Sequence, residues 1–173
     1  MLLASMTMLR VDLGQLDREG SVAVEGVIGA DDDLWRETDL EWSGDVNVRL
    51  RASFAGTGEV VARGSVAGVL KQECRRCLQP VETHFAEDVT MVYVADGDEG
   101  GGEYALEPVG DALDLSGAVR EEIVLAVNPF VVCKPECKGL CPRCGQNLND
   151  EVCDCAVDEA DPRWAVLREL KSE

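Results

Sequence analysis

The chain has 173 residues, 46% of them hydrophobic, and carries 34 acidic against 16 basic side chains for a formal charge of -18. That length suits one packed core with at most a small appendage, and that apolar share excludes a wholly disordered chain. The longest apolar runs fall far short of a membrane span, and so negative a surface repels bare nucleic acid on average, because Lys and Arg supply the affinity for phosphates.

The N-terminal MLLASMTMLR lacks the basic start and the unbroken apolar stretch of a secretory signal, since Ser5 and Thr7 interrupt it. Its first residues are expected as a frayed tail, and the chain as cytoplasmic. Residues 9–14 and 22–28 read as short strands, and Asp31, Asp32 and Asp33 open a polar loop. The segment 45–54 is the clearest strand. Val46, Val48, Leu50, Ala52 and Phe54 fall on one face and Asp45, Asn47, Arg49, Arg51 and Ser53 on the other, the period of two that a half-buried antiparallel strand requires.

Gly56-Thr57-Gly58 reads as a tight turn, returning into a strand over 59–70. Residues 81–94 alternate again, with Phe85, Val89, Met91 and Tyr93 in phase. Residues 96–114 hold seven acidic residues and no basic ones, with Gly97, Gly100, Gly101 and Gly102 among them, which predicts a flexible solvated loop. A helix is expected over about 116–127, with Val119, Ile123, Ala126 and Val127 on its packing face, and Pro129 ends it. A second helix is expected over 161–170. Asp161 is its N-cap, Pro162 its first residue, and Trp164, Leu167 and Leu170 its stripe.

All eight cysteines lie in two places: Cys74 and Cys77 in CRRC, at the end of a predicted strand, and Cys133, Cys137, Cys141, Cys144, Cys153 and Cys155 downstream. Zinc takes four soft ligands in a tetrahedron, and a C-x2-C turn places two sulfurs on one side of the ion. The string LCPRCG at 140–145 has the form of a zinc-ribbon knuckle. One site is assigned to Cys141, Cys144, Cys153 and Cys155, and a second to Cys74, Cys77, Cys133 and Cys137. The second closes a loop of 55 intervening residues, so it should matter for stability.

Two rival readings are weaker. Four disulfides need an oxidising compartment, and a redox C-x-x-C usually opens a helix, whereas CRRC ends a strand and precedes Pro80. His84, the only histidine, lies inside a strand pattern and reads as a surface or packed residue. Cysteine-only ligation favours a structural rather than a catalytic ion. The sequence holds no phosphate-binding glycine loop and no nucleophile motif, so a non-enzymatic protein is expected.

The ordered combination of ECRRCLQPV at 73–81, LDLSGAVREEIVLAV at 113–127, CKGLCPRCGQNLN at 137–149, CDC at 153–155 and DPRWAVLREL at 161–170 resembles the YceD family, also called the large ribosomal RNA subunit accumulation protein family. The resemblance covers about residues 20–170. Asn128-Pro129-Phe130 departs from a leucine-proline start expected there. The resemblance implies a role in accumulation of large-subunit ribosomal RNA in bacteria and plastids. It also implies a gene neighbour encoding a small basic large-subunit ribosomal protein, and it brings no catalytic residue set.

The expected architecture is α+β: a mainly antiparallel, partly barrel-like β core with one or two short helices and a cysteine-rich zinc-binding C-terminal segment. Residues 1–130 form the core, with 96–112 as its loop; residues 131–173 form the zinc segment and C-terminal helix, packed on the core as one domain. The expected partner is a basic large-subunit ribosomal protein or a pre-ribosomal particle, steered by the acidic stretch 96–114. Direct RNA contact through Arg75, Arg76, Lys134, Lys138 and Arg143 is secondary, a thiol redox role is the third reading, and no membrane is involved.

Overall fold

Long alternating segments dictate the largest elements of this chain. The computed structural model describes residues 9–56, 58–95 and 103–155. In order these form β1 (Arg10–Asp12), α1 (Leu13–Glu19), β2 (Ser21–Ile28), a 3-10 turn (Asp33–Trp35), β3 (Glu41–Trp42), β4 (Val46–Ala55), β5 (Glu59–Glu73), β6 (Pro80–Val94), β7 (Tyr104–Ala105), β8 (Ala112–Asp114) and α2 (Ser116–Ala126). The expected N-terminal tail, residues 96–102 of the expected acidic loop and the helix expected over 161–170 lie outside the described residues.

The main sheet runs β2-β4-β5-β6-β7, with β3 beside the far part of β5. Every pair is antiparallel except the short β6–β7 pair, Tyr93 with Tyr104 and Val94 with Ala105. β1 and β8 form a separate two-stranded ribbon. The barrel-like closure expected from the sequence does not occur. Among the described residues β2 ends the sheet at one side and β7 at the other, with no pairing between them.

β4 buries Val46, Val48, Leu50 and Ala52 and turns Asn47, Arg49 and Arg51 to solvent, as a strand with one wet face must. Phe54 is 42% exposed instead. β2 begins at Ser21, opposite Ser53, so Phe54 has a strand neighbour on one side only. α1, which the strand-like pattern of 9–14 concealed, is set by its caps. Asp12 accepts from the Gln15 N–H at 2.7 Å, and Gly20 ends the helix at φ 73, where a residue without a Cβ avoids strain. α2 buries Ala118, Val119 and Ile123. Ala126, expected on that face, is exposed, because the chain leaves the helix immediately after it and Val127 is already extended.

The core is one cluster beneath the sheet, joined by Leu9, Val11 and Leu16 from the N-terminal elements and Leu113 and Leu115 ahead of α2. Trp42 packs 5.2 Å from Trp35 and 5.9 Å from Phe85, centroid to centroid. Residues 103–112, expected as part of the loop, contribute β7, and the Tyr104 hydroxyl donates to Glu122 Oε1 at 2.9 Å. No helix among the described residues is long and apolar enough to cross a membrane.

Gly64 shows how closely β4 and β5 approach: a Cβ there would meet the Arg49 carbonyl and lie 2.8 Å from Leu50 Cα. Gly117 in α2 faces open space, with nothing within 4 Å. Gly64→Ala should therefore destabilise by about 3 kcal/mol, because two strand backbones must separate. Gly117→Ala should stabilise by about 0.5 kcal/mol through helix propensity. Urea unfolding of both variants checks the pair, and a neutral Gly64→Ala would contradict the register.

Candidate metal centre

The longest hairpin, β5 with β6, is closed by the CRRC turn. Cys74 N–H donates to the Gln79 carbonyl and Leu78 N–H to the Cys74 carbonyl, both at 2.8 Å. The second C-x2-C turn repeats this pattern. Cys141 N–H donates to the Gln146 carbonyl at 2.8 Å, and Gly145 N–H to the Cys141 carbonyl at 2.9 Å. The residue after each second cysteine is left-handed, Gly145 at φ 75 and Leu78 at φ 57. Such turns point two sulfurs and several backbone N–H groups to one side.

The structure brings all eight cysteines into two groups, Cys74 with Cys77, Cys133 and Cys137, and Cys141 with Cys144, Cys153 and Cys155. Within each group the sulfurs lie within 4.8 Å of one another. Cys74 Sγ stands 3.8 Å from Cys137 Sγ and Cys77 Sγ 3.7 Å from Cys133 Sγ. A tetrahedron with metal–sulfur bonds of about 2.3 Å has edges of about 3.8 Å. All eight cysteines are free of disulfide bonds here. Four thiols so placed suit a divalent ion that favours tetrahedral sulfur ligation.

The two groups differ in depth. Cys74, Cys77 and Cys137 are buried and pack with Val81, Val132 and Leu140 as a small cluster apart from the main core. In the second group only Cys141 is buried. The groups are joined through Arg76. Its carbonyl accepts from Leu140 N–H at 3.0 Å, and its guanidinium donates to the Pro135 and Cys137 carbonyls at 3.1 and 3.0 Å. Gly139, at φ 76, lies against the same carbonyl, and a Cβ there would sit 2.9 Å from it.

Thiol chemistry follows from these neighbours. Burial opposes ionisation of Cys74, but backbone N–H groups of Cys133, Cys77 and Arg76 outweigh it and bring the thiol down to about 6. Backbone N–H groups of Cys144 and Arg143 bring Cys141 to about 6 as well. Cys133 is pushed up to about 12, first by burial and then by the Cys137 sulfur. Cys155 is pushed up to about 12, first by the Cys144 sulfur and then by burial. Each group thus favours a thiolate at one corner and resists further anionic charge at another, a conflict that a bound cation removes.

Two residues that hold the site carry no signal in the sequence. Asn149 donates from Nδ2 to Cys137 Sγ at 3.3 Å and accepts the Lys138 N–H at Oδ1. Arg76 reads in the sequence as a surface cation, yet its partners lie about 60 positions downstream. The other proposed cations separate. Arg75 stacks 4.5 Å from the Phe130 ring centroid, while Lys134, Lys138 and Arg143 are exposed. His84 is exposed on β6 and belongs to neither cysteine group.

The family model described as "Large ribosomal RNA subunit accumulation protein YceD" matches residues 62–171. An uncharacterized protein of Mycobacterium tuberculosis is 32% identical over 130 residues, covering 73% of this chain and 61% of its own. The chain therefore spans less than two thirds of that relative. An Arabidopsis thaliana protein named large ribosomal RNA subunit accumulation protein YCED homolog 1, chloroplastic, is 34% identical over 61 residues, 35% of this chain and 19% of its own. The Zea mays protein of the same name is 29% identical over 123 residues, 53% of this chain and 42% of its own. No solved structure matches the chain.

Because Cys133 and Cys155 hold their protons well above neutral pH, a metal must displace at least one proton from each group. Metal affinity should fall about tenfold or more for each unit of pH lost between 9 and 7, and more steeply once Cys74 and Cys141 protonate below about 6. Chelator competition across pH 5–9 measures this, and an affinity flat in pH would contradict thiolate ligation. Cys141→Ser should lower metal content and loosen 141–155 while the β5–β6 hairpin keeps its amide protection in hydrogen exchange.

Proposed function

The chain belongs to the YceD family of large ribosomal RNA subunit accumulation proteins, and from that membership we propose that it is a non-enzymatic ribosome biogenesis factor. In this reading it supports accumulation of large-subunit ribosomal RNA. The two four-cysteine groups hold zinc as structural ions, one in each. Family membership is the single observation that carries the role. The metal reading is supported by the all-sulfur donor sets at tetrahedral spacing, the ligation typical of structural zinc.

The partner in this reading is a basic large-subunit ribosomal protein, free or within a precursor particle. The formal charge of -18 supports it, since opposite charge speeds association with a cationic protein and like charge opposes bare RNA. Zinc sharpens the imbalance, because a four-thiolate site keeps a formal charge of about -2. Direct RNA binding is weaker, since Arg76 is committed to backbone carbonyls and Arg75 to Phe130. The acidic residues Asp96, Asp98, Glu99 and Glu103 are proposed as a steering element.

The test is made in a bacterium lacking its own family member, supplied with this chain or with its Cys74→Ser, Cys137→Ser variant. The intact chain should restore the ratio of large- to small-subunit ribosomal RNA, and affinity isolation should recover a basic large-subunit protein. The variant should restore neither. An unchanged ratio with the intact chain would overturn the biogenesis role. Isolation of protein-free large-subunit RNA alone would favour direct RNA binding.

A further inference from the structure

Two clefts, of about 770 and 560 Å³, adjoin at Asp39, which lines both. The first lies at the far end of the β5–β6 hairpin, beside Pro80, Val81 and Pro129. The second runs between residues 37–40 and α2. Together they make one trough, and we propose that it is the docking surface for a basic amphipathic segment of a partner protein. The inference rests on the partner class given under Proposed function and places the contact on named residues.

The floor of the α2 half is apolar and unpartnered. α2 turns Ala118, Val119 and Ile123 into the core, so the outward side chains of the same helix face solvent. Leu125 is 81% and Val124 43% exposed, and both line the cleft beside Leu40. Leu40, Val124 and Leu125 thus give the cleft a continuous apolar wall against which an apolar stripe can pack.

The rim is anionic. Glu37, Asp39, Glu41, Glu73, Glu82 and Glu121 line the two clefts against only Lys71 and Arg120. The two cations leave four carboxylates in excess. Lys71 stands in register between Glu41 and Glu82, and Arg120 lies 3.4 Å from the Arg36 carbonyl. The ion pairs among the described residues, Arg10–Asp114 and Arg36–Asp33, involve none of the six carboxylates.

Charge decides among occupants. A nucleic acid would bring phosphates against these carboxylates, and an anionic lipid surface would meet the same repulsion. A second copy of this chain would set one acidic rim against another. The chain's own residues 156–173 carry five acidic and three basic side chains, again the wrong sign. A helix with an apolar stripe flanked by Lys and Arg satisfies both features: its stripe covers Leu40, Val124 and Leu125, and its cations meet the rim.

The test uses the full-length, metal-loaded protein. The probe is a labelled helical peptide of Leu, Lys and Arg, about 18 residues long to span five turns, with a scrambled, non-amphipathic peptide of the same composition. The amphipathic peptide should bind more tightly than the scrambled one. Leu125→Ser and Glu121→Lys should each weaken it about tenfold, while Glu25→Lys, on the exposed face of β2, should not. Added salt should shrink the Glu121→Lys effect and spare the Leu125→Ser effect. Equal binding of the two peptides, or indifference to both trough variants, overturns the proposal. So does finding that these variants abolish self-association or RNA binding but not peptide binding. The same variants, tried on purified basic large-subunit ribosomal proteins, separate the two readings. If the wild type binds one of them and the trough variants bind it equally well, the trough falls and the partner class stands. If the wild type binds none, yet holds the peptide through Leu125 and Glu121, the trough stands and the partner class falls.

Discussion

Four sulfurs at the end of the β5–β6 hairpin set the course of residues 128–155. Cys74 and Cys77 sit where the two longest strands turn over, and Cys133 and Cys137 reach them from 56 or more positions downstream. Without that closure the segment 128–155 would be held by few groups: Gln72 Nε2 on the Asn128 carbonyl, Arg75 N–H on the Val131 carbonyl, the Arg75 guanidinium over Phe130, and the Arg76 contacts. These are mostly exposed hydrogen bonds, each adding only about 1 kcal/mol. A bound ion binds all four corners at once, and its binding free energy becomes folding free energy.

The second cysteine group depends on the first. Gly139 and Leu140, the link between Cys137 and Cys141, lie on the Arg76 carbonyl, so the second C-x2-C turn is aimed by the first. Its own sulfurs are more exposed, and its closing residues Cys153 and Cys155 follow a polar turn held by Asn147 and Asn149. Depth therefore decreases along the chain, from a buried tie at the hairpin to an exposed terminal site. The acidic trough begins beside the first cysteine group, at Glu73, Pro80 and Val81, where Pro129 leads from α2 toward Cys133. In this account metal holds the scaffold and the carboxylates meet the partner.

What was legible in the sequence had a local cause. The strands 45–54 and 81–94 alternate because one face of each is wet, and the structure keeps Phe85, Val89, Met91 and Tyr93 buried together. The C-x2-C turns marked one half of each cysteine group, and the structure places Cys133 and Cys137 with the first and Cys153 and Cys155 with the second, as assigned. What was missed depends on neighbours distant in sequence or on ends. α1 was hidden in a strand-like pattern although Asp12, Gln15 and Gly20 spell its caps. β3 is two residues long and exists because Trp42 packs over Gly68, where a Cβ would lie 2.7 Å from its ring. Arg76 and Asn149 acquire their roles only through partners brought in by the fold.

The most direct measurement is native mass spectrometry of the cytosolically produced protein, joined to X-ray absorption at the zinc edge. The account predicts two zinc ions per chain, each with four sulfur neighbours at about 2.3 Å, with no disulfide in the mass. One ion per chain, oxygen or nitrogen in the coordination shell, or metal-free protein with oxidised cysteines would contradict it.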